Sequence, residues 1–424
     1  MAKKRKTMSN YIPFEIQIKI FCQLPVKSIL RFRSVSKEWK SLIDSSEFNS
    51  DYIAKRQRLL IIRCRGYIVD DVECETGEYC WIVDDDGSFS QYKSSLKYPR
   101  FVNRRKVKQL YVNRENVKPW YVNLRSIKGI LNISSLQFVG TSHGLLCFIN
   151  NYVYCFDHYV IWNPSIRKSV AINEPYSSGL VSYGFGVCPH SLDPKIIRII
   201  GYWQVEIFTL SGGVWRSPLT KLQSKWLINI RLCAPTSFAI NGFIYWGAFV
   251  SHKPIVGNCL TDPVFTIVSF NLVTEEFTKI DVPSKLSRRR NLTYFELFKL
   301  RESLGVVRYE YKGSEKDHNV WLMDHVSKSF SELFTVTLPL CWKVVGFRDN
   351  DQLILVNTAD KYEAQFVAYD PYSKQFNHRS SYYLGCTASS TSSYTESLLL
   401  LNRSDTVDDD EGDAHIASFE DHRI

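Results

Sequence analysis

The most constraining feature of this chain is a short unit that recurs through its C-terminal two-thirds. A strand ends in a large apolar residue followed by Asn or Asp, a turn follows, and an aromatic residue stands six positions beyond the Asn or Asp. The copies are Phe270-Asn271 with Phe277, Met323-Asp324 with Phe330, and Tyr369-Asp370 with Phe376. Trp162-Asn163 is a copy in which Ser169 takes the aromatic position, and Phe208-Thr209 with Trp215 is a degenerate fifth. Asn and Asp at a turn start accept a backbone hydrogen bond, and Pro164 and Pro371 preset the next φ. Each copy therefore reads as a β-hairpin. From Asn163 the successive intervals are 46, 62, 53 and 46 residues. Spacings near that length suit four-stranded propeller blades of the kelch class. A lone hairpin cannot bury its own face, so several units must pack in a ring, and an irregular β-sandwich is the alternative. Strands are expected at, among others, 144–149, 159–162, 196–203, 237–246, 304–311 and 365–369.

Composition agrees. The 424 residues hold 25 Phe, 24 Tyr and 10 Trp, an aromatic enrichment that favours a mostly β body. An apolar fraction of 45% excludes wholesale disorder and fibrous repeats. No run approaches the roughly 20 apolar residues that cross a bilayer, and no secretory leader is expected from the start Met1-Ala-Lys-Lys-Arg-Lys6. Eleven cysteines without a CxxC pair fit free thiols in a reducing compartment, so the cytoplasm or nucleus is the expected location.

The net charge of +10 is unevenly placed. Eight acids and no base lie between Asp70 and Asp86, and ten bases with one acid, Glu115, between Lys97 and Lys128. The tail carries Asp408-Asp-Asp-Glu-Gly-Asp413. Solvated loops are the plainer reading of such blocks. A nucleic-acid surface over 97–128 is the rival, with affinity falling steeply with salt as its signature.

Residues 9–57 differ from everything after them. Pro13 suits a first helical turn. Ile16 and Ile20 share one helix face, and Phe14, Ile18 and Phe21 another, so both faces need cover. Leu24-Pro25 ends that helix. A second helix carries Val26, Ile29 and Leu30. Ser34 is the expected N-cap of a third, with Val35, Trp39, Leu42 and Ile43 at helical spacing, and Phe48 and Tyr52 suggest one further turn. About 45 residues cannot bury so much apolar surface alone. Either the rest of the chain or another protein covers it.

Ile12-Pro-Phe-Glu-Ile-Gln-Ile-Lys-Ile20 and Leu24-Pro-Val-Lys-Ser-Ile-Leu-Arg-Phe-Arg-Ser-Val-Ser-Lys-Glu-Trp-Lys-Ser-Leu-Ile43 resemble a plant F-box, with Ile12 where Leu is usual. That resemblance implies a three-helix module docking on the Skp-type adaptor, and through it on the cullin, of a Skp–cullin–F-box (SCF) ubiquitin ligase. Carried over by position, the docking residues are Pro13, Ile16, Ile20, Leu24, Pro25, Leu30, Val35 and Trp39, with Leu42 and Ile43 holding the third helix. Gly144-Leu-Leu-Cys-Phe148, Trp162-Asn-Pro-Ser-Ile-Arg-Lys168, Tyr183-Gly-Phe-Gly186, Val268–Phe277 and Val320–Met323 resemble the F-box-associated domain of the same proteins. Tyr394–Leu401 looks like its closing strand. The resemblance is weakest over 64–130.

The implied organisation is mainly β: an F-box over 9–57, a propeller-like substrate-binding domain over 58–402, and an acidic tail over 403–424. The implied function is a non-catalytic substrate receptor that recruits a protein for ubiquitination and degradation. An S-locus F-box receptor recognising a secreted ribonuclease is an alternative within the family. Specificity would sit in loops 172–182, 249–262 and 283–293, the last with Arg288, Arg289 and Arg290. No cofactor or metal is expected. Gly140-Thr-Ser-His-Gly144 matches the GxSxG string, but a strand follows where a nucleophile elbow needs a helix. Tyr183-Gly-Phe-Gly186 lacks a third glycine and a helix, so close backbone packing is its expected role.

Overall fold

A computed structural model describes residues 12–69, 74–84, 92–96, 136–150, 158–175, 180–201, 203–218, 230–233, 237–251, 263–287, 293–357, 359, 363–383 and 386–402. The basic block 97–128, the triple arginine 288–290 and the tail 403–424 lie outside the described residues.

The chain opens with α1 (Phe14–Gln23), α2 (Val26–Arg33), α3 (Lys37–Asp44) and α4 (Ser46–Ala54). There are thus four helices where the resemblance implied three. Each begins on a residue that suits a helix start. The Pro13 carbonyl accepts from the amides of Ile16 (3.0 Å) and Gln17 (3.1 Å), and the Pro25 carbonyl from Ser28 (2.9 Å) and Ile29 (3.1 Å). Pro25 thereby stops α1 and starts α2. Ser36 Oγ accepts from Trp39 N at 3.1 Å, and Ser45 Oγ from Phe48 N at 3.2 Å. Ser36, not Ser34, therefore caps α3. Ser34 keeps helical angles (φ −87°, ψ −6°) and closes α2, whereas Ser36 is extended (φ −147°, ψ 156°), the geometry an N-cap requires.

The strands form six antiparallel sheets among the described residues. The first holds β1 (Arg58–Val69), β2 (Cys74–Asp84) and β3 (Tyr92–Leu96). Its inner strand comes from the far end of the chain, β25 (Cys386–Thr395), paired with β1. The second holds β4 (Leu136–Ser142), β5 (Leu145–Asn150), β6 (His158–Asn163) and β7 (Lys168–Asn173). The third holds β8 (Val181–Val187), β9 (Pro194–Ile200), β10 (Gln204–Thr209) and β11 (Trp215–Arg216). In the fourth the inner strand is split into β12 (Ile230–Leu232) and β13 (Phe238–Ile240), both on β14 (Phe243–Val250), followed by β15 (Val264–Asn271) and β16 (Phe277–Ile280). A short helix, α5 (Ser284–Ser287), precedes the fifth sheet. That sheet is β17 (Thr293–Leu300), β18 (Ser303–Lys312), β19 (Glu315–Met323) and β20 (Phe330–Pro339). The sixth is β21 (Trp342–Phe347), β22 (Leu353–Asn357), β23 (Glu363–Asp370) and β24 (Gln375–Tyr383).

Neighbouring sheets touch around a closed circle. Ser142 Oγ accepts from Val187 N at 3.1 Å between the second and third. Trp246 Nε1 donates to Tyr183 O at 2.9 Å between the third and fourth. Phe265 stacks on Phe295 at 4.1 Å between the fourth and fifth, and Phe298 meets Phe347 edge-on at 5.3 Å between the fifth and sixth. Thr391 Oγ1 on β25 donates to Val345 O at 3.1 Å and joins the sixth to the first. The result is a β-propeller. Its core lies between the blades, as in the cluster of Ile197, Ile207, Ile244, Trp246 and Phe270. At Gly184 a Cβ would collide with the Trp246 ring, so the blades meet only because that residue has no side chain. This is the close packing expected of Tyr183–Gly186.

The recurring unit is the hairpin between the third and fourth strands of a blade. Trp162 lies opposite Ser169, Phe208 opposite Trp215, Phe270 opposite Phe277, Met323 opposite Phe330 and Tyr369 opposite Phe376. The side-chain oxygens of Asn163, Asn271, Asp324 and Asp370 accept from the amides of Ser165 (2.9 Å), Val273 (2.8 Å), Val326 (3.1 Å) and Tyr372 (2.8 Å). Four residues after each of them, Arg167, Glu275, Lys328 and Lys374 take φ between 56° and 59°. The degenerate copy keeps that geometry with Gly213 (φ 70°). Glu275 also pins two blades together, accepting from Lys195 Nζ at 2.7 Å and from both Arg216 nitrogens at 2.6 and 2.7 Å.

Three expectations are corrected. Residues 237–246 are not one strand: Asn241 (φ 48°) and Gly242 (φ 80°) turn the chain between β13 and β14. Residues 196–203 are not one strand either, because Gly201 (φ 50°) ends β9. The closing strand is Cys386–Thr395, and Leu398–Leu401 lies beyond it.

Candidate docking surface

The helical module buries one side of itself. Phe21, Cys22, Val26, Ile29, Ile43, Phe48 and Tyr52 form its core together with Leu398 from the far end of the chain. Phe21, Phe32 and Trp39 pack ring on ring at 5.0–5.4 Å. Tyr52 OH donates to Leu24 O at 2.9 Å, which draws α4 onto the corner between α1 and α2. Burial pushes the Cys22 thiol up, away from its reactive anionic form. On this side the chain covers its own apolar surface.

The other side is open. Ile12 is 42% exposed, Phe14 50%, Ile16 42%, Ile20 43% and Val35 65%. Ile16 and Ile20 stand four apart on one face of α1, and Val35 projects from the turn between α2 and α3. The eight residues carried over by resemblance fall into two groups. Pro13, Ile16, Ile20, Pro25 and Val35 are exposed. Leu24, Leu30 and Trp39 are half-buried against the module core. The Trp39 indole also donates to Gln17 Oε1 at 3.0 Å, so it serves the core as well as the surface. Leu42 and Ile43 sit in or against the core, as expected.

Ile12 and Phe14 are absent from the expected set. Phe14 shares a stripe with Ile18 and Phe21, which predicted burial. Only Ile18, Phe21 and Cys22 of α1 reach the core around Leu398, so the first turn stays outside it. No pattern within 9–57 says how far along α1 a distant segment will reach.

The propeller has two unlike faces. Strand order puts the turns between first and second strands, and between third and fourth, at one end of every blade. The helices sit there. Ile166, from the turn after Asn163, packs on their core. Arg58, which follows α4, bridges to Glu302 at 2.8 Å and to Asp349 at 3.0 Å, each in a turn between first and second strands. The remaining connections leave the opposite end. All three candidate loops, 172–182, 249–262 and 283–293, join strand ends that open on that opposite face. The strand ends flanking residues 97–135 open there too.

The GxSxG string is the turn from β4 to β5. Ser142 Oγ lies 2.9 Å from His143 Nδ1, and His143 (φ 49°) and Gly144 (φ 77°) reverse the chain. Burial pushes the His143 imidazole down in pKa, and among the described residues no carboxylate hydrogen-bonds to it. A nucleophile elbow is a strand–turn–helix, and here strand follows strand. No helix of the described residues is long and apolar enough to cross a membrane.

Comparison with known proteins gives two family matches: the F-box domain over residues 11–51 and the F-box associated beta propeller domain over residues 110–392. The chain is 26% identical over 337 residues to the F-box/kelch-repeat protein At3g23880 of Arabidopsis thaliana, covering 76% of this chain and 77% of that protein. It is 24% identical over 383 residues to the F-box protein At5g18160 of the same plant, covering 86% and 81%. Among solved structures it is similar to TolB from Acinetobacter baumannii at 10% identity and a TM-score of 0.41, covering 78% of this chain and 66% of that one, a likeness too slight to bear on function.

Proposed function

Because the chain belongs to the F-box proteins that carry an F-box-associated β-propeller, we propose that it is the substrate-recognition subunit of an SCF-type ubiquitin ligase. The open side of α1–α3 docks on a Skp-type adaptor and, through it, on a cullin. The propeller face opposite the helices holds the protein to be modified. The observation that carries this reading is the asymmetry of the module. One side is packed against the chain's own C-terminal segment, while Ile12, Phe14, Ile16, Ile20 and Val35 stay in contact with water. Apolar side chains clustered on a helical surface are the anchors of helix-face recognition.

The chain acts by proximity. Holding a target beside the charged conjugating enzyme raises the local concentration of its lysines, and no acid–base step is required of this polypeptide. The two functions lie at opposite ends of the propeller, so adaptor and substrate do not compete for space.

The test is co-purification of full-length protein with the adaptor, alongside proximity labelling under proteasome inhibition. Ile16→Asp with Ile20→Asp should remove adaptor and cullin from the purified material while the labelled propeller partners remain. Retention of the adaptor by that folded variant would refute the docking face.

A further inference from the structure

The last described residues, 396–402, touch both halves of the molecule. They follow β25, the inner strand that closes the propeller, and occupy the place where other blades carry a turn to their second strand. The side chains divide between two destinations. Leu398 enters the helical core and is 1% exposed, with Leu401 packed beside it. Leu399 and Leu400 enter the cluster between the second and third blades. Within this turn Leu400 takes φ 73°, a backbone region unfavourable for a branched side chain.

The second blade grips this segment with several side chains, of which Asn163 is fully buried. Asn163 Nδ2 donates to Ser397 O (3.1 Å), Ser397 Oγ (3.1 Å) and Leu399 O (2.8 Å). Ser165 Oγ lies 2.7 Å from Tyr394 OH, and Lys168 Nζ donates to Leu401 O at 3.2 Å. At Gly144 a Cβ would stand 2.7 Å from Ser397 Oγ, so the first turn of the second blade is pressed against the segment. On the helical side, Arg33 bridges Asp44 at 2.6 Å and donates to Asn402 Oδ1 at 2.8 Å. Ile53 of α4 packs on the same propeller cluster as Leu399 and Leu400.

We infer that residues 396–402 are a shared clasp that completes the helical module only after the propeller has closed. The helices are synthesised first, but Leu398 and Leu401 come nearly 350 residues later. Four helices of eight to ten residues are a small unit for independent stability. Their core is finished by a segment that Asn163 positions and β25 delivers. A chain with an unclosed ring therefore has loosened helices. Given the docking role proposed above, such a chain is a poor partner for the adaptor, and the ligase receives only receptors with a finished propeller.

Hydrogen exchange on the full-length chain tests this, with Leu398→Ala and Asn163→Ala compared with wild type. Asn163→Ala removes the buried hydrogen bonds that position the clasp on the propeller without altering any helical residue. Both variants should exchange the α2 and α4 amides ~10-fold faster or more, with β14 and β15 in the distant fourth blade unchanged. Both should also capture less recombinant Skp-type adaptor. Ile20→Asp separates the two readings, since it should lose adaptor with exchange unaltered. Unchanged α2 and α4 protection in both clasp variants would overturn the inference, as would equal acceleration in β14 and β15. If wild type captures no adaptor, the docking reading fails, and the exchange comparison still decides the clasp.

Discussion

The helical module and the propeller solve the same burial problem with different completeness. Of thirteen large apolar side chains exposed among the described residues, five lie in the short stretch 12–35. The other eight are spread over the propeller, and four of them, Val214, Val273, Val326 and Tyr372, sit singly in turns between third and fourth strands. Scattered single exposures are ordinary on protein surfaces, whereas a cluster on one small module marks an interaction site. The propeller is finished by its own chain. The module is finished on one side only.

The variant with the largest expected effect breaks the comparison inside the module. Trp39→Ala removes the ring that packs on Phe21 and Phe32. It should cost roughly 3–5 kcal/mol of helical stability, read by thermal or denaturant melting. Adaptor lost in that variant reports unfolding rather than a missing anchor, so Trp39 cannot stand for the docking face alone.

A second prediction probes the propeller. His318 is fully buried between β18 and β20, its Nδ1 3.3 Å from Val336 O and its Nε2 without a hydrogen bond. Burial, with Lys316 adding repulsion, pushes its pKa down to about 4. An unfolded histidine binds its proton near pH 6.5, so between about 6.5 and 4 the unfolded state holds more protons. Stability supplied by the neutral ring is whole above that window and falls as the pH drops through it, by about 3 kcal/mol. Denaturant titrations at pH 7 and pH 4.5 should show this slope, and His318→Leu should flatten it. An unchanged slope in that variant would place the acid sensitivity elsewhere.

Much of this architecture was legible because the hairpin unit is local. Asn or Asp, a turn and an aromatic at fixed spacing specify both the backbone reversal and the cross-strand pair, and neither needs a distant partner. The helices were legible for the same reason, through Pro13, Pro25 and the apolar spacing. What the sequence concealed is long-range. The third-helix cap turned on whether Ser34 or Ser36 left the helical region, two residues of like chemistry. Phe14 shares the spacing of the buried stripe, and nothing near it records that Leu398 covers only the later turns of α1. The run Leu398–Leu401 resembled a strand, yet its residues divide between two cores, which no periodicity encodes. Asn241-Gly242 is a local hairpin signal masked by the apolar run on either side of it.

The smallest expected effect sharpens the contrast between scattered and clustered exposure. Val326→Ser, at a lone turn tip, should shift stability by no more than about 0.5 kcal/mol and leave adaptor capture as in wild type. A large loss of capture would extend the docking surface onto the propeller and erase the contrast.

The central claim is that the open side of α1–α3 grips an adaptor subunit. Calorimetric titration of purified Skp-type adaptor into the full-length chain, and into Ile16→Asp with Ile20→Asp, tests it most directly. Saturable one-to-one binding to wild type, weakened about 100-fold in the folded double variant, is the expected result, equivalent to about 2.7 kcal/mol. Equal affinity for both proteins, or no binding by folded wild type, would contradict it.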